Sequence, residues 1–176
     1  MKNIVLVGFM ATGKTEVGKA LAKRLNWEYK DTDELIIDKV GKSIPEIFKL
    51  EGEEFFRSQE TILLEELVKL GLEKTVVATG GGIVLASDNW EWLSKLGRVI
   101  CLKTKPEVIL ERVGTSQDRP LLLGSRAEVR RRIDELLISR QAAYAKADWT
   151  CDTSYSKASQ VVEKILQSNP DLSESR

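Results

Sequence analysis

Short apolar runs alternate with longer amphipathic segments along this chain of 176 residues. Between the runs, apolar side chains recur every three or four positions, as in Val17, Leu21 and Leu25, which predicts helices. Nearly continuous apolar strands that alternate with helices are typical of a parallel sheet covered on both faces. The pattern therefore predicts an α/β fold, a three-layer αβα sandwich around a five-stranded parallel sheet. The predicted strands are 3–7, 28–30, 75–78, 98–102 and 148–151.

Two stretches depart from this alternation. Residues 32–72 carry only helical patterns and are longer than a crossover needs, so we predict that they form a helical substrate-binding segment. Residues 113–124 combine Gly, Ser, Asp and Pro around Arg119, which predicts a mobile lid. We expect a single domain over 1–176 with a polar, frayed tail at 169–176. Its core comprises 1–31, 73–112 and 125–168.

Composition excludes several kinds of chemistry. The chain has no His, which excludes His bases, Ser-His-Asp triads and His-ligated metals. Cys101 and Cys151 are too few for a disulfide framework or a Cys-only zinc site. Lys and Arg number 27, as do Asp and Glu, so we expect no nucleic-acid partner. No apolar stretch approaches the roughly 20 residues of a membrane span, and no signal peptide is recognisable. We therefore expect no membrane partner and a cytoplasmic location.

A glycine-rich loop follows the first predicted strand and precedes a helical pattern. Its sequence, GFMATGKT at residues 8–15, matches G-x-x-x-x-G-K-[ST]. Glycines let backbone N–H groups converge on phosphate oxygens, Lys14 adds charge at the β- and γ-phosphates, and the Thr15 hydroxyl suits Mg²⁺. A turn that binds nothing is the alternative. Lys14 and Thr15 in this context favour a nucleoside triphosphate.

Missing motifs narrow the class of nucleotide-binding protein. We find no N-K-x-D, the guanine-specifying motif of GTPases. The third predicted strand continues into TGGG at 79–82 and lacks the metal-binding Asp of motor and transporter ATPases. Mg²⁺ still requires an acidic partner near the loop. Asp31, at the carboxyl end of the second predicted strand, is the nearest candidate because ligands gather at that edge of such sheets.

Asp31 and Asp33 form a D-x-D pair at a strand end. Strand alternation predicts both side chains on one side, where one could serve the metal and the other could accept a proton from a hydroxyl group. Alternatively, Asp33 is only the N-cap of a helix that begins at Glu34. The sequence leaves both interpretations open.

Two arginines are candidates for binding an anionic substrate. Arg57 and Glu60 have helical i,i+3 spacing, which fits either a surface ion pair or a Glu60 that orients Arg57 toward substrate. Arg140 requires a substrate carboxylate or a protein acid if it is buried, unless its side chain reaches solvent at the helix edge. It falls on the predicted inward stripe of Val129, Ile133, Leu136 and Tyr144.

Two further features favour contact with ligands. A strand-to-helix turn needs one glycine, so the run Gly80, Gly81 and Gly82 favours close approach of backbone to a ligand. Arg119, in the predicted lid, could act at the phosphates as an arginine finger does, or could simply face solvent.

The ordered set of motifs resembles that of shikimate kinases, P-loop kinases with the nucleoside-monophosphate-kinase fold. The resemblance spans residues 3–165 and implies ATP-dependent phosphorylation of shikimate to shikimate 3-phosphate, a step of chorismate and aromatic amino-acid biosynthesis. The matching segments are GFMATGKTEVG at 8–18, DTD at 31–33, GKSIPEIF at 41–48, EGEEFFRSQE at 51–60, TGGG at 79–82, DRPLL at 118–122 and SRQAAYAKAD at 139–148.

For the acceptor, the resemblance implies that Asp33 contacts the reacting hydroxyl and acts as its base. It implies that Arg57 and Arg140 bind the shikimate carboxylate. Gly81, with its neighbours Gly80 and Gly82, would contact the ring. By the same resemblance, the catalytic residues are Asp33, Lys14 and Arg119.

For the nucleotide, the resemblance implies Mg²⁺ held by Thr15 and, through water, by Asp31. It places Arg119 at the phosphates and Arg112 beside the adenine, with an adenine loop at 153–156 that includes Ser154. That loop continues as SYSKAS, without the Arg or Pro that is common in the family. The remaining predicted nucleotide contacts are Gly8, Ala11, Thr12, Gly13, Lys14, Thr15 and Glu16.

Other functions remain open at this point. A related kinase could act on gluconate or on a nucleotide, since Phe55, Phe56 and Arg57 are compatible with a base-stacking pocket. A nucleotide-binding regulatory module without turnover is the alternative outside enzymes. The leading expectation is a monomeric kinase with ATP and shikimate as its substrates.

Overall fold

Residues 3–113 and 124–172 are described by the computed structural model of the chain. Five strands form one sheet in the order β2-β3-β1-β4-β5, and every neighbouring pair is parallel. Each strand lies within one residue of its predicted position, so the predicted five-stranded parallel sheet is confirmed. The strands are β1 (Asn3–Gly8), β2 (Glu28–Asp31), β3 (Thr75–Ala78), β4 (Arg98–Lys103) and β5 (Trp149–Asp152).

Helices occupy most of the connections between strands. In the segment between β2 and β3, the structure has three helices and no strand, as the pattern predicts. Within the described ranges, no helix is both long enough and apolar enough to cross a membrane. Short 3₁₀ turns lie at Ile83–Leu85 and Pro170–Leu172. The α-helices are α1 (Lys14–Leu25), α2 (Thr32–Val40), α3 (Ile44–Leu50), α4 (Gly52–Lys69), α5 (Asn89–Leu96), α6 (Pro106–Val113), α7 (Arg126–Tyr144) and α8 (Ala158–Ser168).

The side chains of β1 alternate between two hydrophobic cores. Ile4 and Leu6 pack with side chains from α1 and α8, whereas Val5 and Val7 pack with side chains from α2 to α5. All four are fully buried, which explains why the strand is apolar at every position. This arrangement confirms the predicted three-layer αβα sandwich.

The strand order places the start of a binding crevice beside β1. The chain proceeds from β1 to β2 and β3 on one side of the sheet and then to β4 and β5 on the other. In such sheets, ligands bind outside the carboxyl ends of the strands at the point where the order reverses. The loop at 8–15 leaves β1 there, Asp31 ends β2, and Thr79 follows β3 at the same edge.

The end of the chain differs from the predicted frayed tail. Pro170–Leu172 forms a 3₁₀ turn, and the Leu172 side chain is buried in the core beneath α1 and α8. Arg98 donates hydrogen bonds to Asn169 Oδ1 at 2.8 Å and to Asp171 Oδ1 at 2.9 Å. The prediction is wrong for residues 169–172 because one apolar side chain anchors an otherwise polar segment. Residues 173–176 lie outside the described ranges.

Both cysteines are buried free thiols, Cys101 on β4 and Cys151 on β5. Burial raises the pKa of the Cys101 thiol to about 11, so it stays protonated at neutral pH. The two residues pack as small apolar side chains, as expected from their places on predicted strands.

Candidate active site

A cavity of about 800 Å³ lies at the carboxyl edge of the sheet. Its walls come from the loop at 8–15, from the ends of β2 and β3, and from helices on both sides of them. Candidate residues from distant parts of the sequence therefore share one pocket. Those that line it are Ala11, Thr12, Gly13, Lys14, Thr15, Glu16, Asp31, Asp33, Arg57, Gly80, Gly81, Gly82, Arg112 and Arg140.

The phosphate loop, residues 8–15, has the curved backbone that its glycines predict. Gly8 has φ 144° and Gly13 has φ 90°, and a Cβ at Gly8 would collide with the carbonyl oxygen of Leu102. Ala11 also adopts a left-handed conformation, with φ 60°. Helix α1 begins at Lys14 without a side-chain cap, so its first amides face the loop. Such amides, together with the helix dipole, attract phosphate.

Lys14 is buried at the centre of the loop. Its Nζ donates hydrogen bonds of 2.8 Å to the carbonyl oxygens of Gly8 and Phe9. Thr12 also donates to the Phe9 carbonyl at 2.7 Å, and Thr153 donates to the Thr12 carbonyl at 2.9 Å. These contacts fix the loop around the ammonium group and connect it to the segment after β5.

The predicted metal ligands lie together at the entrance to α1. The Thr15 hydroxyl donates to Asp31 Oδ2 at 3.2 Å, and Tyr29 donates to the same oxygen at 3.0 Å. Hydroxyl and carboxylate oxygens suit a hard divalent cation such as Mg²⁺. Over residues 3–113 and 124–172, no group of three or more acidic, His or Cys side chains could hold a metal ion alone. The residues therefore fit a metal that takes its other ligands from phosphates and water.

Asp33 lies in the first turn of α2 and not on the strand. Its backbone N–H donates at 3.0 Å to Asp31 Oδ1, which makes Asp31 the N-cap of this helix. The interpretation of Asp33 as an N-cap is therefore wrong. Asp31 and Asp33 both line the cavity, but strand alternation is not the cause. Strand β2 ends at Asp31, and the first turn of α2 places Asp33 in the cavity.

The buried carboxyl groups of Asp33 and Glu60 lie against Gly80. Asp33 Oδ1 and Glu60 Oε1 are buried and lack a hydrogen-bond partner among the described residues. A Cβ at Gly80 would lie only 2.7 Å and 2.8 Å from these two oxygens, so a side chain there would displace the two carboxyl groups. Burial, reinforced by the charge of Asp31, raises the pKa of Asp33 to about 6 despite the opposing charges of Lys14 and Arg57. Such a carboxyl group is suited to accepting a proton near neutral pH.

Arg57 is held toward the cavity by a buried partner. Its NH1 donates to Glu60 Oε2 at 2.7 Å, and its NH2 donates to Glu53 Oε1 at 3.0 Å. Glu60 is fully buried, so the predicted pair exists but is not a surface ion pair. Burial raises the pKa of Glu60 to about 7, and the charge of Arg57 opposes this shift. The guanidinium lies against Gly82, where a Cβ would overlap it.

Arg140 is a buried cation in the opposite wall. Only 4% of the residue is exposed, which excludes the interpretation of a side chain that reaches solvent. Its NH1 donates to the Gly81 carbonyl at 3.2 Å, and its guanidinium lies 5.5 Å from the centre of the Phe9 ring. Within the described part of the chain, no carboxylate lies within 4 Å of it. A buried guanidinium with this environment favours an anionic ligand.

Arg112 and the segment after β5 line the cavity beside the phosphate loop. Arg112 donates to the carbonyl oxygens of Ala11 at 3.0 Å, Thr153 at 3.2 Å and Ser154 at 3.4 Å, and so ties this segment to the phosphate loop. The Ser154 hydroxyl accepts from the Lys105 N–H and does not line the cavity, whereas Ser156 does. Arg119 and most of the predicted lid lie outside the described residues.

Three polar contacts of the site were not anticipated from sequence. Tyr29 donates to Asp31, the Thr32 hydroxyl accepts from the Gly80 N–H at 3.0 Å, and Tyr144 donates to the Gly81 carbonyl at 2.7 Å. Tyr144 could have been found, because it lies four residues after Arg140 and therefore on the same face of α7. Tyr29 could also have been found, because residues two apart on a strand share a face. The contact between Thr32 and Gly80 depends on the pairing of β2 with β3 and has no local signal.

The cavity combines a phosphate-binding loop at one end with a buried carboxyl group and two arginines at the other, which is the arrangement of a small P-loop kinase. The sequence model of the family described as shikimate kinase matches residues 10–169. The chain belongs to the shikimate kinase family, whose members are ATP-dependent kinases that generally require a divalent metal ion.

Similar proteins support this assignment over nearly the whole chain. A shikimate kinase of Caldanaerobacter subterraneus subsp. tengcongensis is 44% identical over 167 residues, which cover 95% of each chain. One from Thermodesulfovibrio yellowstonii is 45% identical over 175 residues, or 98% of each chain. The solved shikimate kinase from Acinetobacter baumannii in complex with shikimate has a TM-score of 0.90 and 38% identity, and the match covers 97% of this chain and 94% of that one. The predicted fold and family are confirmed.

Proposed function

We propose that this chain transfers the γ-phosphate of ATP to the 3-hydroxyl group of shikimate, giving ADP and shikimate 3-phosphate. The observation that carries the proposal is the buried guanidinium of Arg140, which has no carboxylate partner among the described residues and shares one cavity with Asp33 and the phosphate loop. A small acceptor with one carboxylate and a hydroxyl group would satisfy both ends of this pocket. The family places the reaction in chorismate and aromatic amino-acid biosynthesis.

Residues of the phosphate loop bind and orient the nucleotide. The amides at the start of α1 and the ammonium of Lys14 neutralise phosphate charge, and Arg112 lies where the adenine is expected. We propose Mg²⁺ as the metal, held by the Thr15 hydroxyl and, through water, by Asp31. When bound, the metal would neutralise charge on the transferred phosphoryl group. Arg119 remains our prediction for the residue that covers the phosphates.

The acceptor is held at the other end of the cavity. Arg140 and Arg57 bind its carboxylate, and the backbone at Gly80–Gly82 allows the ring to approach closely. Asp33 orients the hydroxyl group and takes its proton as the new oxygen–phosphorus bond forms and the bond from the γ-phosphorus to the ADP oxygen breaks. Positioning and charge neutralisation supply most of the catalysis in such a reaction.

A coupled assay for ADP release tests this function directly. Purified protein with Mg-ATP should turn over with shikimate and not with gluconate or nucleoside monophosphates at the same concentration. Preference for gluconate or a nucleotide would assign the cavity to a related kinase. Absence of turnover with every acceptor, in protein that still binds ATP, would support a regulatory module instead.

The pH dependence of the reaction should report the carboxyl group of Asp33. Its pKa of about 6 lies above the ordinary value of 3.8, so the base is lost by protonation as the pH falls through about 6. We expect kcat/KM for shikimate to be level above pH 7 and to fall about tenfold per unit below pH 6. Stopped assays in buffers of constant ionic strength measure this profile. A level profile down to pH 4.5 would contradict the assignment of Asp33 as the base.

Other proposed properties concern the setting of the enzyme. We propose a cytoplasmic monomer that uses only small-molecule substrates and has no nucleic-acid or membrane partner. Within the single domain, residues 32–72 are proposed as the substrate-binding segment, since Asp33, Arg57 and Glu60 all come from it. Residues 113–124 are proposed as the lid. Size-exclusion chromatography with light scattering tests the monomer.

A further inference from the structure

We propose that Tyr144 is a positioning residue for the anion site: its hydroxyl holds the Gly81 carbonyl so that Arg140 can turn to the carboxylate of the acceptor. The inference rests on the proposed function, because it assumes that Arg140 binds the substrate carboxylate. Tyr144 itself need not touch the substrate. Its role is to satisfy a backbone acceptor that would otherwise compete with the ligand for the same guanidinium.

The geometry places two donors on one oxygen. Tyr144 donates to the Gly81 carbonyl at 2.7 Å, and Arg140 donates to it through NH1 at 3.2 Å. The two residues lie one turn apart on α7, so both reach the oxygen from the same helix face. A carbonyl oxygen has two lone pairs and can accept from both donors at once. The shorter bond is the one made by the tyrosine.

Gly81 is held firmly on its other side. A Cβ at this position would lie 3.1 Å from the backbone nitrogen of Met10, so Gly81 packs directly on the phosphate loop. The Gly81 carbonyl therefore connects the triple glycine and the phosphate loop to α7. A shift of this peptide would move both the acceptor surface and the loop that holds the phosphates.

Tyr144 is suited to be the permanent donor of the pair. Burial raises the pKa of its phenol to about 12, so the hydroxyl remains protonated over the working pH range. Its rigid ring packs against the apolar residues around Phe9 and Val129 and against the core below the sheet. Arg140, in contrast, has further N–H groups to offer to an anion.

The consequence appears when an anion binds. If the guanidinium turns toward a carboxylate, its long bond to Gly81 weakens, but the tyrosine keeps the carbonyl satisfied. Without the hydroxyl, Arg140 is the only donor that the structure gives to this carbonyl, and anion binding leaves a half-buried acceptor unpaired. The phenol thus lowers the free energy needed to redirect Arg140.

Substitution of Tyr144 by Phe tests this role with little change in shape. We expect KM for shikimate to rise three- to tenfold, with KM for ATP and kcat within twofold of the parent values. The matched control is Ile138→Ala, because Ile138 lies on the same helix, is 73% exposed and should leave all three constants unchanged. Equal increases in both KM values would indicate a general structural defect and would overturn the proposal.

Two further measurements separate positioning from packing. With the carboxamide of shikimate as acceptor, Arg140 has no anion to meet, so Tyr144→Phe should change KM less than twofold. In an Arg140→Lys background, the phenylalanine substitution should add less than twofold to KM for shikimate. A full three- to tenfold effect in either case would overturn the proposal. Shikimate turnover by the parent protein is required throughout, so failure of the proposed function would be recognised separately.

Discussion

Replacement of Asp33 by Asn is expected to remove most turnover and, at the same time, to stabilise the protein at neutral and alkaline pH. The rate should fall by about 10² to 10⁴, because the amide cannot accept the proton of the acceptor hydroxyl. ATP binding should persist, since the phosphate loop and the Thr15–Asp31 contact do not involve the Asp33 side chain. The gain in stability follows from the burial of the carboxyl group.

The sign of that stability change follows from the pKa of Asp33. Its folded value of about 6 exceeds the ordinary 3.8, so between these pH values the folded state binds more protons than the unfolded state. The free energy of unfolding therefore falls as the pH rises through this window, and the full penalty remains above it. A neutral Asn avoids the penalty, which corresponds to about 1 to 3 kcal/mol for a partly exposed group.

Thermal or urea unfolding at pH 4 and pH 8 measures the effect. Asp33→Asn should unfold at a temperature several degrees above the parent at pH 8, with the two proteins nearly equal at pH 4. Asp38→Asn is the matched control, because Asp38 lies exposed on the same helix, and it should change neither activity nor stability. Lower stability of Asp33→Asn at pH 8, or full activity, would contradict this account.

The parts of the fold that depend on local pattern were predictable. On β1, Val5 and Val7 are buried on one face of the sheet and Ile4 and Leu6 on the other. An uninterrupted apolar run therefore predicts a central strand. The phosphate loop was predictable because its glycines, Lys14 and Thr15 are contiguous. The inward position of Arg140 followed from helical periodicity, since residues three or four apart share a face.

The parts that depend on contacts between distant segments were not predictable. Spacing alone cannot distinguish a surface Arg57–Glu60 pair from the buried one observed, because burial is decided by the helices and the glycine segment 80–82 that pack against α4. The pairing of β2 with β3 brings Gly80 beside Asp33 and Glu60, and among the described residues these two side chains have the buried oxygens that lack a hydrogen-bond partner. The perturbed pKa values of the site arise from this tertiary arrangement.

Residues 169–172 are a second case in which local sequence gave the wrong prediction, because a segment expected to fray is ordered. Composition predicted that residues 169–172 would fray, yet Leu172 is 2% exposed. One buried side chain, with Arg98 bonded to Asn169 and Asp171, outweighs the polar character of its neighbours. The order of this segment depends on the contact of Leu172 with the core formed by α1 and α8. Such a contact between distant segments cannot be predicted from the local sequence.

Replacement of Arg140 by Met is expected to weaken shikimate binding strongly and, at the same time, to stabilise the protein without ligand. KM for shikimate should rise by about 10² or more, because charge-assisted hydrogen bonds to the carboxylate are lost in a buried site. KM for ATP should change little. The variant should also unfold at a higher temperature without ligand, since a cation with no carboxylate within 4 Å among the described residues is replaced by an apolar side chain of similar length.

Steady-state kinetics and thermal unfolding, with and without shikimate, measure both effects. Shikimate at 100 times its Kd should stabilise the parent by about 2.7 kcal/mol, whereas the same concentration should stabilise Arg140→Met by only a few tenths of a kcal/mol. The control is Arg131→Met on the same helix, where the arginine side chain is 77% exposed and no change is expected. An unchanged KM for shikimate in Arg140→Met would contradict the anion site. A loss of ATP binding would instead show that Arg140 supports the phosphate loop through Gly81 and Phe9, because its guanidinium contacts both.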